Sequence, residues 1–175
     1  MICTSLTHGV DEYVTWPRTI TQFREGKMTA IPPVHPWINR LGGRHYRAAG
    51  TEVDLTGLEL ATDPNGLPIH GNLLGAAFDV LTLEPARLVA QFDFGAHPDK
   101  LRAFPFPHVI TIDARLDAER GLTLTTEVRA TGDTPVPASS QMSSATLSTD
   151  RGSPGPALKA SPPARPSSSR SQMAR

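Results

Sequence analysis

The sequence predicts an all-β fold, a sandwich of antiparallel strands, and three observations carry that prediction. Apolar and polar residues alternate with a period of two through the second half of the ordered-looking region. Segments rich in proline and glycine separate the alternating runs, and stretches with a helical period are few.

Taken in chain order, residues Ser5 to Trp16 and Glu52 to Ala61 are the weaker strand candidates. Val80 to Leu83 reads as a strand that turns at Glu84-Pro85-Ala86 into a second one, in which Leu88, Ala90, Phe92 and Phe94 alternate with other residues. From His108 to Ala118 the set Ile110, Ile112, Ala114 and Leu116 alternates with Thr111, Asp113, Arg115 and Asp117, so one face is buried and one is wet. Glu119-Arg120-Gly121 supplies a turn with glycine where a positive φ is needed. Leu122, Leu124, Thr126 and Val128 then repeat the alternation, which completes a β-hairpin. Residues 78–130 are therefore expected to form an antiparallel meander with Ile110, Ile112, Leu122, Leu124 and Val128 on one buried face. Asp93, Asp113, Glu84 and Glu127 fall on the solvated one.

Composition changes abruptly near residue 138. From Ala138 onward there are eleven serines, five prolines and no aromatic residue, too little apolar surface to offset the entropy of ordering. The division is thus a β-domain over residues 1–137 and a Ser/Pro/Arg-rich disordered tail over residues 138–175, in which no residue is expected to join the sheet. Charge is balanced, with seventeen residues of each sign, so no global field favours nucleic acid or a membrane surface. That balance suits a neutral small-molecule partner. Cys3 has no second cysteine to pair with, the first residues do not show a charged n-region followed by an apolar h-region, and no apolar run approaches the roughly 20 residues that span a bilayer. The expected location is the cytoplasm.

Two loops break the alternation and concentrate polar chemistry. One is Ile31-Pro32-Pro33-Val34-His35-Pro36-Trp37-Ile38-Asn39-Arg40-Leu41-Gly42-Gly43; the other is Asp63-Pro64-Asn65-Gly66-Leu67-Pro68-Ile69-His70-Gly71-Asn72-Leu73. Prolines and glycines set the backbone here without a helix or a ladder, which lets polar side chains be held still. Rigid amide and guanidinium donors with an aromatic wall are what a sugar site needs. His35, His97 and His108 lack fixed ligand spacing and read as structural or exposed rather than metal-binding.

The Pro-Trp-x-Asn-Arg-Leu element, the Asn-Gly-x-Pro-Ile-His-Gly element about thirty residues on, Phe104-Pro105-Phe106-Pro107-His108 and Gly132-Asp133-Thr134-Pro135-Val136-Pro137 follow one another in the order seen in the aldose 1-epimerase family. Residues 5–137 resemble the front part of such a protein. The resemblance implies a partial β-sandwich of the galactose-mutarotase type and a free aldohexose, or a derivative, as ligand. It implies that His70 is a catalytic histidine and that Arg40 holds sugar hydroxyls, with Asn39 assisting beside it. Trp37 is a candidate sugar platform whose other reading is core packing. The implied reaction interconverts anomers: a base takes the C1 hydroxyl proton, an acid protonates the ring oxygen, and the ring opens and recloses. No metal or organic cofactor is implied.

The sequence departs from the family after Pro137. It has neither the second histidine, in a Gly-x-His-Pro-Tyr motif, nor a counterpart of the late glutamate that serves as general base, and no histidine follows His108. The expectation is an aldose 1-epimerase-like chain truncated or frameshifted after about residue 137, short at its start as well, and catalytically incomplete. A non-catalytic carbohydrate-binding β-sandwich is the alternative.

Overall fold

The alternation over residues 79–130 becomes four antiparallel strands in the computed structural model, which describes residues 3, 5–14, 21–22, 25, 31–118, 120–137 and, as backbone, 145–147. Two short hairpins precede them: β1 (Thr7–His8) with β2 (Asp11–Glu12), and β3 (His45–Ala48) with β4 (Thr51–Asp54). The five-stranded sheet then runs in sequence order, β5 (Asp79–Glu84), β6 (Arg87–Asp93), β7 (His108–Asp117), β8 (Gly121–Ala130) and β9 (Ala145–Leu147). A 3-10 turn at Phe94–Ala96 and a short helix α1 (Pro98–Leu101) link β6 to β7. The chain is all-β, as expected.

Turn chemistry sets the registers. Pro85 and Ala86 close β5 on β6, and Gly121, at φ +78°, takes the left-handed conformation at the start of β8. Asp117 steadies that turn by accepting from the Arg120 amide at 2.8 Å. A register shift between Val80 and Thr82 marks a bulge in the edge strand. The β3–β4 hairpin was not expected over its first strand. Its two-residue turn is Ala49-Gly50, both at positive φ, and alanine there hides the usual Asn-Gly or Asp-Gly signal.

The predicted buried face forms. Ile110 lies opposite Val128 and Phe92, and Ile112 opposite Thr126 and Ala90, so these side chains share a face. Ile110, Ile112 and Leu122 are buried, while Leu124 and Val128 are half-buried. Leu73, Phe94, Phe104 and Phe106 complete this core, with Tyr46 and Ala48 of β3 packed against it. A second cluster of Trp37, Val53, Leu55 and Ala103 continues it beneath the hairpin, and the Tyr46 hydroxyl joins the two by donating to the Ala103 carbonyl at 2.6 Å. Among the described residues, loops and one small hairpin, rather than a second full sheet, cover this face. The far end stays open: Leu83 is 78% exposed and Leu116 50%.

On the other face Asp113 is clamped by Arg87, at 3.0 Å, and Arg115, at 2.9 Å. Hydrogen bonds from the two guanidinium groups lower its pKa to about 2. Asp93 is exposed and caps the 3-10 turn, accepting from the amides of Gly95 and Ala96. The expected tail, residues 138–175, falls outside the described residues except for Ala145–Leu147. Those three pair with Leu122–Leu124 as β9, which counts against reading the whole of that segment as foreign to the sheet. Trp16, the end of the first weak strand candidate, also lies outside the described residues.

Candidate functional site

The two Pro/Gly-rich loops meet. The Leu41 amide donates to the Pro68 carbonyl at 2.9 Å, the His70 amide to Asn39 at 3.1 Å and the Asn72 amide to His35 at 3.0 Å. Bridges between Arg40 and Ile69 and between His35 and Gly71 extend the contact. The closest approach explains a glycine: a Cβ on Gly71 would stand 1.8 Å from the His35 carbonyl oxygen, and Gly71 also sits at φ +68°. His70 itself has φ +63°, uncommon for a residue with a side chain. Its Nδ1–H donates to the Ile38 carbonyl, which fixes the ring and leaves the lone pair of the neutral imidazole on Nε2.

His70 lines a cleft of about 840 Å³ between the loop at residues 57–62, the segment 70–74 and the turn that carries α1. Other polar groups on its walls include Glu25, Glu59, Thr62, Asn72, Lys100 and Arg102. One wall is cross-tied: Lys100 Nζ donates to the Asn72 carbonyl at 2.8 Å, while Asn72 Nδ2 donates to the Lys100 carbonyl at 3.2 Å. Asp99, also on the cleft, lies 3.8 Å from Lys100 Nζ.

The remaining sequence-predicted residues are placed differently. Arg40 does not line the cleft; its Nε is 3.3 Å from Oδ2 of Asp63, whose side chain is 1% exposed against 53% for the guanidinium. That oxygen makes an ion pair but no hydrogen bond of good geometry, while Oδ1 accepts from the amides of Asn65 and Leu67. These two amide bonds, with Leu67 the largest influence, and the Arg40 charge hold the Asp63 carboxyl below its ordinary range. Asn39 is exposed, and its Oδ1 accepts from the Arg40 amide at 2.9 Å. Trp37 is buried in the second core cluster, edge-on to Tyr46, with its indole N–H unpaired. It is a core residue here. Of the four side chains singled out, only that of His70 reaches the cleft.

Residues that sequence reasoning passed over include Lys100 and Asp99. Their segment carries a legible signal, proline at the first helical position followed by an acidic residue, which marks a helix start. Also missed was the pairing of His35 with His108, both buried, whose Nε2 atoms are 2.8 Å apart. Among the described residues no three His, Cys, Asp or Glu side chains are grouped to hold a metal ion, and no helix is long and apolar enough to cross a membrane. No family model, curated protein or solved structure matches the chain.

Proposed function

We propose that the chain is an aldose 1-epimerase-like protein that binds a free aldohexose or a derivative in the cleft at His70. The observation that carries this reading is the setting of His70 itself: a positive-φ residue, held by two backbone hydrogen bonds, on a polar cleft of small-ligand size. Neutral, it accepts a hydroxyl proton at Nε2; protonated, it donates one. Amide, ammonium, guanidinium and carboxylate groups beside it suit a ligand made of hydroxyls. Anomer interconversion needs a base at the C1 hydroxyl and an acid at the ring oxygen. The resemblance supplies one of these groups in His70 and lacks the second histidine and the late glutamate, so turnover is expected to be slight.

The second reading, a non-catalytic carbohydrate-binding protein, is favoured by the commitment of Arg40 to Asp63 and of Trp37 to the core. Mutarotation of glucose and galactose, followed by polarimetry with binding followed by NMR, separates the two. The expected result is sugar binding that disappears in His70→Ala, with little acceleration. Acceleration lost in the same variant supports the epimerase, and binding without acceleration supports the binding protein. Failure of either sugar to perturb the cleft residues overturns both.

A further inference from the structure

His35 and His108 are 73 residues apart in sequence and share one hydrogen bond in the interior. Their tautomers follow from the neighbours. His108 Nδ1 lies 2.6 Å from the Phe106 carbonyl, which can only accept, so Nδ1 carries the proton and Nε2 of the neutral ring is bare. His35 Nε2–H therefore donates to His108 Nε2. A proton added at His35 Nδ1 leaves this N–H···N bond in place but puts a charge into a buried ring. A proton added at His108 Nε2 forces His35 to move its own proton to Nδ1 and accept at Nε2, and in a doubly charged pair two N–H groups face each other with added repulsion.

The surroundings make that proton hard to accommodate. Phe94 stacks on His108 with ring centres 4.5 Å apart, and Phe104 meets both imidazoles edge-on at 5.8 Å. From β8 the residue opposite His108 is the uncharged Ala130. Asp93, before the 3-10 turn, favours a proton on His108, but its carboxylate is occupied by the amides of Gly95 and Ala96. On the loop side the titratable groups next to the residues that bond His35 are His70, beside Gly71, and Lys100, whose ammonium is held by the Asn72 carbonyl. His97 stacks on Phe92, which in turn meets Phe94 edge-on.

The same His35 is the hinge of the loop pair. Its carbonyl accepts from the Asn72 amide, and Gly71 packs against that carbonyl. We infer that the buried His35–His108 pair, enclosed by Phe94 and Phe104, is a proton-sensitive latch, which acid opens to release residues 35–41 and 69–72 from the start of β7 while the sheet stays folded. Desolvation, with the neighbouring His108 second, pushes the His35 pKa down to about 3, and burial lowers that of His108 as well. The sign follows. An opened His35 titrates near its ordinary value of 6.5, so between that pH and about 3 the open form gains about tenfold over the closed form for each unit of acidification, with His108 steepening the response. The inference does not depend on which ligand the cleft takes.

Hydrogen exchange of the full chain between pH 7 and pH 4, corrected for the intrinsic pH dependence of exchange, tests it. The amides of Leu41, His70 and Asn72 should lose protection by tenfold or more per pH unit below 6.5, while those of β6 and β7 hold. In the double variant His35→Gln, His108→Gln, which can keep a neutral hydrogen bond, the loop response should vanish. A loop protection independent of pH, an unchanged response in the double variant, or simultaneous loss across loops and sheet overturns the latch. Should the double variant fail to fold, the imidazole ¹⁵N shifts of the wild type decide: both rings must stay neutral until the loop amides open. Titration of either ring with the loops still protected overturns it.

Discussion

The meander of β5 to β8 and the pair of loops at residues 31–43 and 63–73 reach order by different means. In the meander every strand finds its partner next in sequence, across turns of two or three residues except between β6 and β7, where residues 94–107 intervene, and the pairing follows the alternation. The loops have no ladder of their own. They are held by scattered backbone bonds, by a glycine against a carbonyl, and by a histidine pair 73 residues apart in sequence. Regular structure is thus robust to local change except in its core, whereas the loop pair depends on a few atoms in particular places.

Ile112→Asp should produce the largest effect. The side chain is buried between Ala90 and Thr126 on the core face, and an unpaired carboxylate there is expected to cost on the order of 4 kcal/mol or more, enough to abolish a cooperative thermal transition. A variant that still melts cooperatively near the wild-type temperature would mean that this face is not the core.

Gly71→Ala should damage the loops and spare the sheet. The added Cβ would overlap the His35 carbonyl, and the backbone must move to avoid it. A loss of about 2–4 kcal/mol in loop protection is expected, within the range of severe single substitutions. Hydrogen exchange should show Leu41 and Asn72 exposed and β6 to β8 little changed; equal loss everywhere would show that loops and sheet form one cooperative unit.

Acid distinguishes the regions by pH window. The neutral His35 contributes stability that is complete above its unfolded value of 6.5 and declines as pH falls toward about 3, at about 1.4 kcal/mol per unit. Asp113 acts lower, since its depressed pKa gives stability that is present above 3.8 and lost as pH falls toward about 2. Denaturant melts from pH 7 to pH 4 should therefore show the loss attributable to the loops first. A stability flat down to pH 4 would contradict the buried neutral pair.

The smallest effect is expected from Arg40→Met. Half of the guanidinium is in water, and Asp63 keeps its two amide partners without it, so a change of about 1 kcal/mol or less is anticipated by thermal melting. If sugar binding is abolished while stability is unchanged, Arg40 leaves Asp63 to contact the ligand.

The all-β class, the antiparallel meander, its buried face and the turn glycine at position 121 are legible in the residues, because each is a matter of local period and turn chemistry. The two loops are marked as well, since proline, glycine and polar residues crowd there visibly. Where each loop side chain goes is set by contacts between segments distant in the chain. Arg40 and His70 lie in bonded loops, yet one side chain goes to Asp63 and the other to the cleft; Trp37 goes to the core. The partner of His35 is His108, which no spacing near either residue announces. Side-chain direction in an irregular loop depends on backbone angles such as the positive φ of His70 and on contacts made across tens of residues, and neither leaves a periodic trace in the chain.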